Sequence, residues 1–249
     1  MADLLNKVTQ GDCLEVMREI PDKSVDMILC DLPYGTTAAK WDSVIPFDLL
    51  WAEYARIIKD SGAIVLTAAQ PFTTSLIASN PSLYRYNWYW NKPYSTGFMN
   101  AGKMPLRNVE DVCIFYKKLP TYNPQGLVEV NKTQYRRKDK STTIYNDMGL
   151  KEGSYTQKWT NYPTQVLEFG REGKTVHPTQ KPVALFEYLI RTYTNEGEVV
   201  LDNCLGSGTT AVAAINTGRQ FIRIEREQEY VAIANQRISD AKQLKEGAQ

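Results

Sequence analysis

Apolar and polar positions along this chain fall into two alternating kinds of pattern. Val25-Asp26-Met27-Ile28-Leu29-Cys30 is a nearly unbroken apolar run, as expected of a strand buried on both faces. From Phe47 to Lys59 the period lengthens, with Leu50, Tyr54, Ile57 and Ile58 on one stripe, which predicts a helix. Ser61-Gly62 reads as its stop and Ala63 to Thr67 as the next strand. Pro71 opens a second helix running toward Ile77. Tyr84 to Trp90 and Val109 to Tyr116, rich in aromatic and β-branched residues, read as strands. Regular pattern returns after Pro182 with a helix through Ala184, Leu185, Tyr188 and Leu189. A strand ending at Asp202 and a helix from Ser207 to about Asn216 follow. A strand from Gln220 to Glu225 and a closing helix with Tyr230, Ile233, Ala234 and Ile238 at helical spacing complete the series. Strands alternating with helices predict an α/β fold with a wound, mostly parallel sheet.

Between about Leu119 and Lys174 the periodicity fades, and Gly, Pro, Asn, Thr and Tyr dominate. A patternless stretch of that length is seldom inert in a compact protein. Basic residues outnumber acidic ones there, among them Arg136, Arg137, Lys138 and Lys140. The expected organisation is one domain formed by residues 1–118 and 175–249, interrupted by an irregular insertion at 119–174. With 249 residues the chain buries a core without disulfide or metal staples, and its net charge of +1 gives no global sign of a polyanionic partner. Cys13, Cys30, Cys113 and Cys204 lie far apart with no CxxC pair, and His177 is the sole histidine. That fits reduced thiols in the cytoplasm better than metal ligands or disulfides. Neither a secretory signal nor an apolar run of ~18 residues is evident, so a cytoplasmic chain without a membrane span is expected. One histidine also excludes chemistry that needs several imidazoles, leaving carboxylates, backbone dipoles and a reactive cofactor.

Two strand ends carry candidate chemistry. Asp31-Leu32-Pro33-Tyr34-Gly35 brings a carboxylate, a stiff peptide and an aromatic face to the tip of the first strand, a setting for a flat, amine-bearing ring. Far downstream, Asp202 ends a strand and Gly206-Ser207-Gly208-Thr209 leads into a helix. Glycines there let the backbone approach a ligand, and the helix N-terminal amides offer donors. The spacing is not that of a phosphate loop, which needs a Lys after the second glycine, nor GxGxxG, since Ala211 lies three beyond Gly208. Glu225, at the end of the following strand, stands where nucleoside-binding folds place an acid on ribose hydroxyls. A site for a planar amine and a site for a nucleoside cofactor together predict group transfer to a nucleobase.

The segment Asp202-Asn203-Cys204-Leu205-Gly206-Ser207-Gly208-Thr209-Thr210 resembles the D-P-F-x-G-S-G-T-T signature of amino-group DNA methyltransferases, which use S-adenosylmethionine. Asp31-Leu32-Pro33-Tyr34 resembles their D-P-P-Y catalytic motif, and His177-Pro178-Thr179-Gln180-Lys181-Pro182 the segment before their cofactor strand. Gly11-Asp12 resembles their acidic contact to the cofactor's adenine. Catalytic motif first, variable segment next and cofactor motif last is the β-type order of that family. Leu32 departs from the first proline of the catalytic motif, and Asn203-Cys204 from the Pro-Phe of the cofactor motif. The family's second acceptor is a backbone carbonyl, which Leu32 retains, and Pro33 keeps Leu32 out of helical geometry.

The resemblance implies a Rossmann-like methyltransferase fold and transfer of a methyl group from S-adenosylmethionine to a base flipped out of double-stranded DNA. Asp31 and the Leu32 carbonyl would accept the amine hydrogens, with Pro33 stiffening the tip and Tyr34 stacking on the base. Asp12 would lie near the cofactor's adenine, Asp202 and Gly206 near its methionine end, and Glu225 on the ribose. Gly208 and Thr209 complete the loop and helix start, and Lys181 either attracts the methionine carboxylate or is a solvated charge. No metal is required. The insertion would recognise the target, with Arg136, Arg137, Lys138 and Lys140 on phosphates. Asp at the first catalytic position points to adenine N6 rather than cytosine N4, for which the family more often carries Ser. The alternatives are cytosine N4 methylation, methylation of an RNA or protein amide nitrogen, and a nucleic-acid-binding module with a degenerate fold. The resemblance also admits a homodimer.

Overall fold

The computed structural model describes residues 1, 3–37, 39, 42–136, 152–170 and 180–247. These divide into two compact units, Met1–Asn123 with Gln165–Gln249, and Pro124–Thr164.

In the larger unit the strands are β1 (Val8–Gln10), β2 (Val25–Asp31), β3 (Ile58–Ala68), β4 (Tyr84–Thr96) and β5 (Arg107–Phe115). The smaller unit contributes β6 (Val128–Arg136) and β7 (Gly153–Thr160), and the larger one resumes with β8 (Val166–Glu168), β9 (Val199–Asp202) and β10 (Gln220–Glu225). The helices are α1 (Cys13–Met17), α2 (Phe47–Ile57), α3 (Phe72–Ser79), α4 (Val183–Tyr193), α5 (Thr209–Asn216) and α6 (Gln228–Gly247). Eight strands form one sheet in the order β1-β10-β9-β2-β3-β5-β4-β8. All neighbours are parallel except at β5, which is antiparallel to both β3 and β4. The expected wound, mostly parallel sheet is therefore present.

Alternation along the central strands sorts the core into two layers. Ile28 and Cys30 pack with α1, α2 and α3 residues such as Met17, Tyr54 and Leu76. Met27 and Leu29 pack on the other face with α4, α5 and α6 residues such as Leu189, Ala213 and Ala234. Helices on both faces explain why β2 reads as a continuous apolar run.

The two halves of the sheet wind in opposite directions from its centre. From β2 the chain crosses through α2 to β3 on one side, and from β9 through α5 to β10 on the other. β2 and β9 are direct neighbours, with Met27 opposite Val200 and Ile28 opposite Leu201. In open α/β sheets such a reversal leaves a crevice beyond the strands' carboxyl ends, where ligands bind.

Several boundaries depart from expectation. Ser61-Gly62 does not end a helix: α2 stops at Ile57 and both residues lie within β3. A Cβ on Gly62 would sit 2.8 Å from the Asp26 carbonyl and 2.7 Å from Ile58, so glycine permits the close pass where the β2–β3 register shifts. The buried stripe of α6 is Val231, Ala234, Ile238 and Ala241, displaced from the expected Tyr230 and Ile233. The expected insertion at 119–174 is wider than the smaller unit. Asn123 is anchored in the larger unit by the Thr192 carbonyl at 2.8 Å, and β8 joins β4. Nor is that unit irregular throughout, since β6 and β7 form an antiparallel ribbon. No helix among the described residues is long and apolar enough to cross a membrane.

Candidate active site

Asp31 ends β2 half-buried, and three elements converge on its carboxylate. Oδ1 accepts the Tyr34 hydroxyl at 2.8 Å and the Thr67 hydroxyl of β3. Oδ2 accepts the Lys181 ammonium at 2.7 Å. The Tyr34 ring stacks on Phe72, 5.0 Å between centroids and 21° apart. Burial, then the Asp31 charge, push the Tyr34 phenol well above its ordinary range, so it remains a hydrogen-bond donor. Beyond Tyr34 the chain turns at Gly35, whose φ of 67° favours glycine. Asp42 folds that turn: its carboxylate accepts the Gly35, Thr36 and Thr37 amides at 2.8, 2.9 and 2.7 Å. Burial raises the Asp42 carboxyl, but these hydrogen bonds hold it below its ordinary value. Sequence reading missed Asp42, because its partners are backbone amides with no sequence signature.

Asp202 ends β9 on the adjacent strand, buried. It accepts the Cys204 amide at 3.1 Å and the Thr210 hydroxyl at 2.5 Å. Burial nevertheless pushes its carboxyl up to about 6. In the following loop the two glycines differ in kind. Gly206 has φ 53°, and a Cβ there would meet nothing within 4 Å. Gly208 has φ 88° and lies against α6, where a Cβ would come 3.2 Å from the Ala234 Cβ. Of these two, Gly206 lines the cleft, and Gly208 packs closely on a helix. Glu225 closes the loop from β10, its Oε2 accepting the Gly206 amide and its Oε1 the Glu227 amide, each at 2.8 Å. The Gly11 amide donates to the Glu225 carbonyl at 3.0 Å, which brings Asp12 to the same place. Asp12 also caps α1 through the Leu14 amide at 2.9 Å.

Both strand ends open into one cleft of about 390 Å³, within the ~300–1,000 Å³ usual for small-molecule sites. Its lining runs from Asp12 past Asp31 to Tyr34 and on through Asp202, Gly206 and Glu225. Thr209 lines it too, and its hydroxyl donates to the Lys181 carbonyl at 3.3 Å. Lys181 lines the cleft as well, and it is not a solvated charge. Its side chain is 7% exposed and paired with Asp31. Two charges absent from the sequence reading complete this corner: Glu110 lies 3.4 Å from Lys181, and Lys92 lies 2.9 Å from Glu110. A charged residue within an aromatic or β-branched strand was the available signal for both. The scattered cysteines also partly reassemble, with Cys13 and Cys204 lining the cleft. Burial raises the Cys30 thiol to about 12, so it stays protonated. Arg136 lies in the smaller unit, its guanidinium 4.9 Å from the Tyr155 ring centroid. Arg137, Lys138, Lys140 and His177 lie outside the described residues.

Known proteins resemble this chain along most of its length. The type II methyltransferase M.HinfI of Haemophilus influenzae is 28% identical over 96% of this chain and 70% of its own length. DNA adenine methyltransferase YhdJ of Escherichia coli K12 is 28% identical over 94% of this chain and 83% of its own. The crystal structure of the M1.HpyAVI–SAM complex superposes with a TM-score of 0.62 at 24% identity, covering 93% of this chain and 98% of that one. That likeness establishes the shared fold. The family model described as DNA methylase, of the N6/N4 methyltransferases, matches residues 25–236, a span that holds both strand ends and the loop between β9 and α5. The chain belongs to this DNA methylase family.

Proposed function

We propose that the chain transfers a methyl group from S-adenosylmethionine to adenine N6 in double-stranded DNA. The observation that carries this reading is the meeting of Asp31-Leu32-Pro33-Tyr34 with Asp202, Gly206 and Glu225 in one cleft. The donor set suits the cofactor. S-adenosylmethionine presents an ammonium, a sulfonium and ribose hydroxyls, and the cleft answers with Asp12, Asp202 and Glu225. Asp12 is assigned to the adenine end, Asp202 and Gly206 to the methionine end and Glu225 to the ribose. M1.HpyAVI, which shares the fold, is described as a complex with this cofactor.

When bound, S-adenosylmethionine supplies a methyl group made electrophilic by its sulfonium. The chain's own residues prepare the acceptor. An exocyclic amine is a weak nucleophile because its lone pair is delocalised into the ring. Asp31 and the Leu32 carbonyl accept its hydrogens and draw the nitrogen toward sp³ character. Tyr34, backed by Phe72, offers a surface to the extruded base. Flipping costs a few kcal/mol, and stacking returns roughly 1–3 kcal/mol. Adenine is favoured by the carboxylate at position 31 and supported by the relative named as an adenine methyltransferase. The ribbon of β6 and β7 is assigned to target recognition. It exposes Tyr135 and Tyr155 beside Arg136 and Trp159 toward its other end, and a two-stranded ribbon fits the major groove.

The test is transfer of labelled methyl to unmethylated duplex DNA, followed by nucleoside mass spectrometry. N6-methyladenine is expected; N4-methylcytosine alone would overturn the adenine assignment.

Asp202 makes cofactor binding depend on pH. Its ionised form attracts the cofactor's ammonium, and its carboxyl titrates near 6. Affinity measured by calorimetry is expected to be flat above that pH and to fall about tenfold per unit below it. Asp202→Asn should weaken binding and remove the dependence. Folding of the chain alone has the opposite sign. The native carboxyl lies above its ordinary 3.8, so this group's stabilisation is complete below that pH and lost as pH rises through about 6. The swing is roughly 3 kcal/mol.

A further inference from the structure

Under the proposed reaction, the target base needs the Asp31 carboxylate for its amine and the Tyr34 ring for its face. A side chain of the protein already touches both. Lys181 Nζ lies 2.7 Å from Asp31 Oδ2 and 5.7 Å from the Tyr34 ring centroid. It offers the carboxylate an N–H, as the amine would.

A second acceptor lies within reach of the same ammonium. Glu110 Oε2 is 3.4 Å from Lys181 Nζ, in ion-pair range, yet it is buried and accepts no aligned hydrogen bond. A buried carboxylate oxygen left so is costly and calls for an explanation. Its partner oxygen is not idle, because Oε1 accepts the Lys92 ammonium at 2.9 Å. Lys92 thus holds Glu110 in place while leaving Oε2 open toward Lys181.

We propose that Lys181 is a placeholder for the target amine, passed from Asp31 to Glu110 when the base enters. This rests on the reading of the cleft as a base-methylating site. Glu110 is then a positioning residue that receives the ammonium, and Lys92 keeps it oriented. The lysine backbone need not move, since its carbonyl is held by the Thr209 hydroxyl at 3.3 Å. Only the side chain swings. Asp31, Lys181, Glu110 and Lys92 alternate in sign, so the transfer changes no net charge. It also has a chemical purpose. It frees Asp31 Oδ2 for an amine hydrogen, and it withdraws a cation from a nitrogen that becomes positive as it gains the methyl group. Lys181 stays protonated throughout: burial lowers its pKa, but Asp31 and Glu110 together outweigh that and raise it.

The experiment is a double-mutant cycle read by the fluorescence of 2-aminopurine placed next to the target adenine of a duplex, where it brightens as the adenine leaves the stack, with single-turnover transfer in parallel. Glu110→Gln is expected to weaken base extrusion at least about tenfold, as withdrawal of a charge-assisted hydrogen bond does. Lys181→Met removes the placeholder and is expected to raise extrusion above wild type. In the Lys181→Met background, Glu110→Gln should then cost less than about twofold, because no ammonium remains to be received. An equal loss in both backgrounds would overturn the proposal. Should Glu110→Gln fail to fold, with Lys92 left buried and unpaired, Lys181→Met decides alone. Extrusion at or below wild type in that variant would overturn it. Failure of the underlying reading looks different, for then wild-type protein neither extrudes the target adenine nor methylates DNA.

Discussion

Asp31→Asn is expected to slow methyl transfer at least about 10³-fold while S-adenosylmethionine affinity stays within about twofold. The substitution keeps the shape of the side chain and removes one acceptor. An amide has a single oxygen, yet Asp31 accepts Tyr34 and Thr67 on one side and Lys181 on the other. In the variant, an NH2 group must face either the two hydroxyls or the ammonium, and neither orientation leaves a carboxylate for the amine hydrogen. The loss corresponds to about 4 kcal/mol of barrier, of the order reported when a preorganised electrostatic partner is removed from a reacting centre. Cofactor affinity is spared because the groups assigned to it stand on β9, β10 and the start of α1, not on β2. Rapid-quench single turnover and calorimetry on the same preparation separate the two effects. A variant retaining more than a tenth of the wild-type rate would remove Asp31 from the chemistry.

What was legible in the sequence was local. The apolar run ending at Asp31 gave β2, and the span from Gln220 to Glu225 matches β10 as observed. Glycines at 206 and 208 announced a tight turn, and both adopt positive φ. What was not legible was who meets whom. Nothing near Ile28 states that its neighbour is Leu201, because the order of parallel strands depends on crossovers spanning the rest of the chain. The pairing of Lys181 is hidden for the same reason: its partner lies 150 positions away, and an isolated lysine before a helix looks like a solvated charge. That Gly208 packs on Ala234 is equally hidden, because a glycine beside a distant helix has no local signature. The ribbon of β6 and β7 escaped because nearly every β6 residue is exposed, so no face carries an apolar alternation to detect.

Glu225→Gln is the second large effect expected, a loss of about 100-fold in S-adenosylmethionine affinity. Glu225 has two duties that a glutamine cannot share. Its two oxygens fasten the Gly206 and Glu227 amides, fixing the backbone on both sides of the place assigned to the ribose. It also carries the charge that a pair of ribose hydroxyls would meet. Burial raises its carboxyl, while the hydrogen bonds from Glu227 and Gly206 oppose that rise. In the glutamine variant one of the two amides faces an NH2 donor, so the loop loosens before any ligand arrives. Charge-assisted hydrogen bonds are worth roughly 1.5–3 kcal/mol each, and losing one of them near the upper end accounts for the expected factor. Calorimetry gives the affinity, and hydrogen exchange at the Gly206 amide reports the loop. Faster exchange with unchanged affinity would confine Glu225 to holding the loop and leave the ribose to another group. Weakened affinity with unchanged exchange would instead locate its whole contribution in contact with the cofactor. The geometry requires both to change together, because the same carboxylate serves the backbone and faces the cleft.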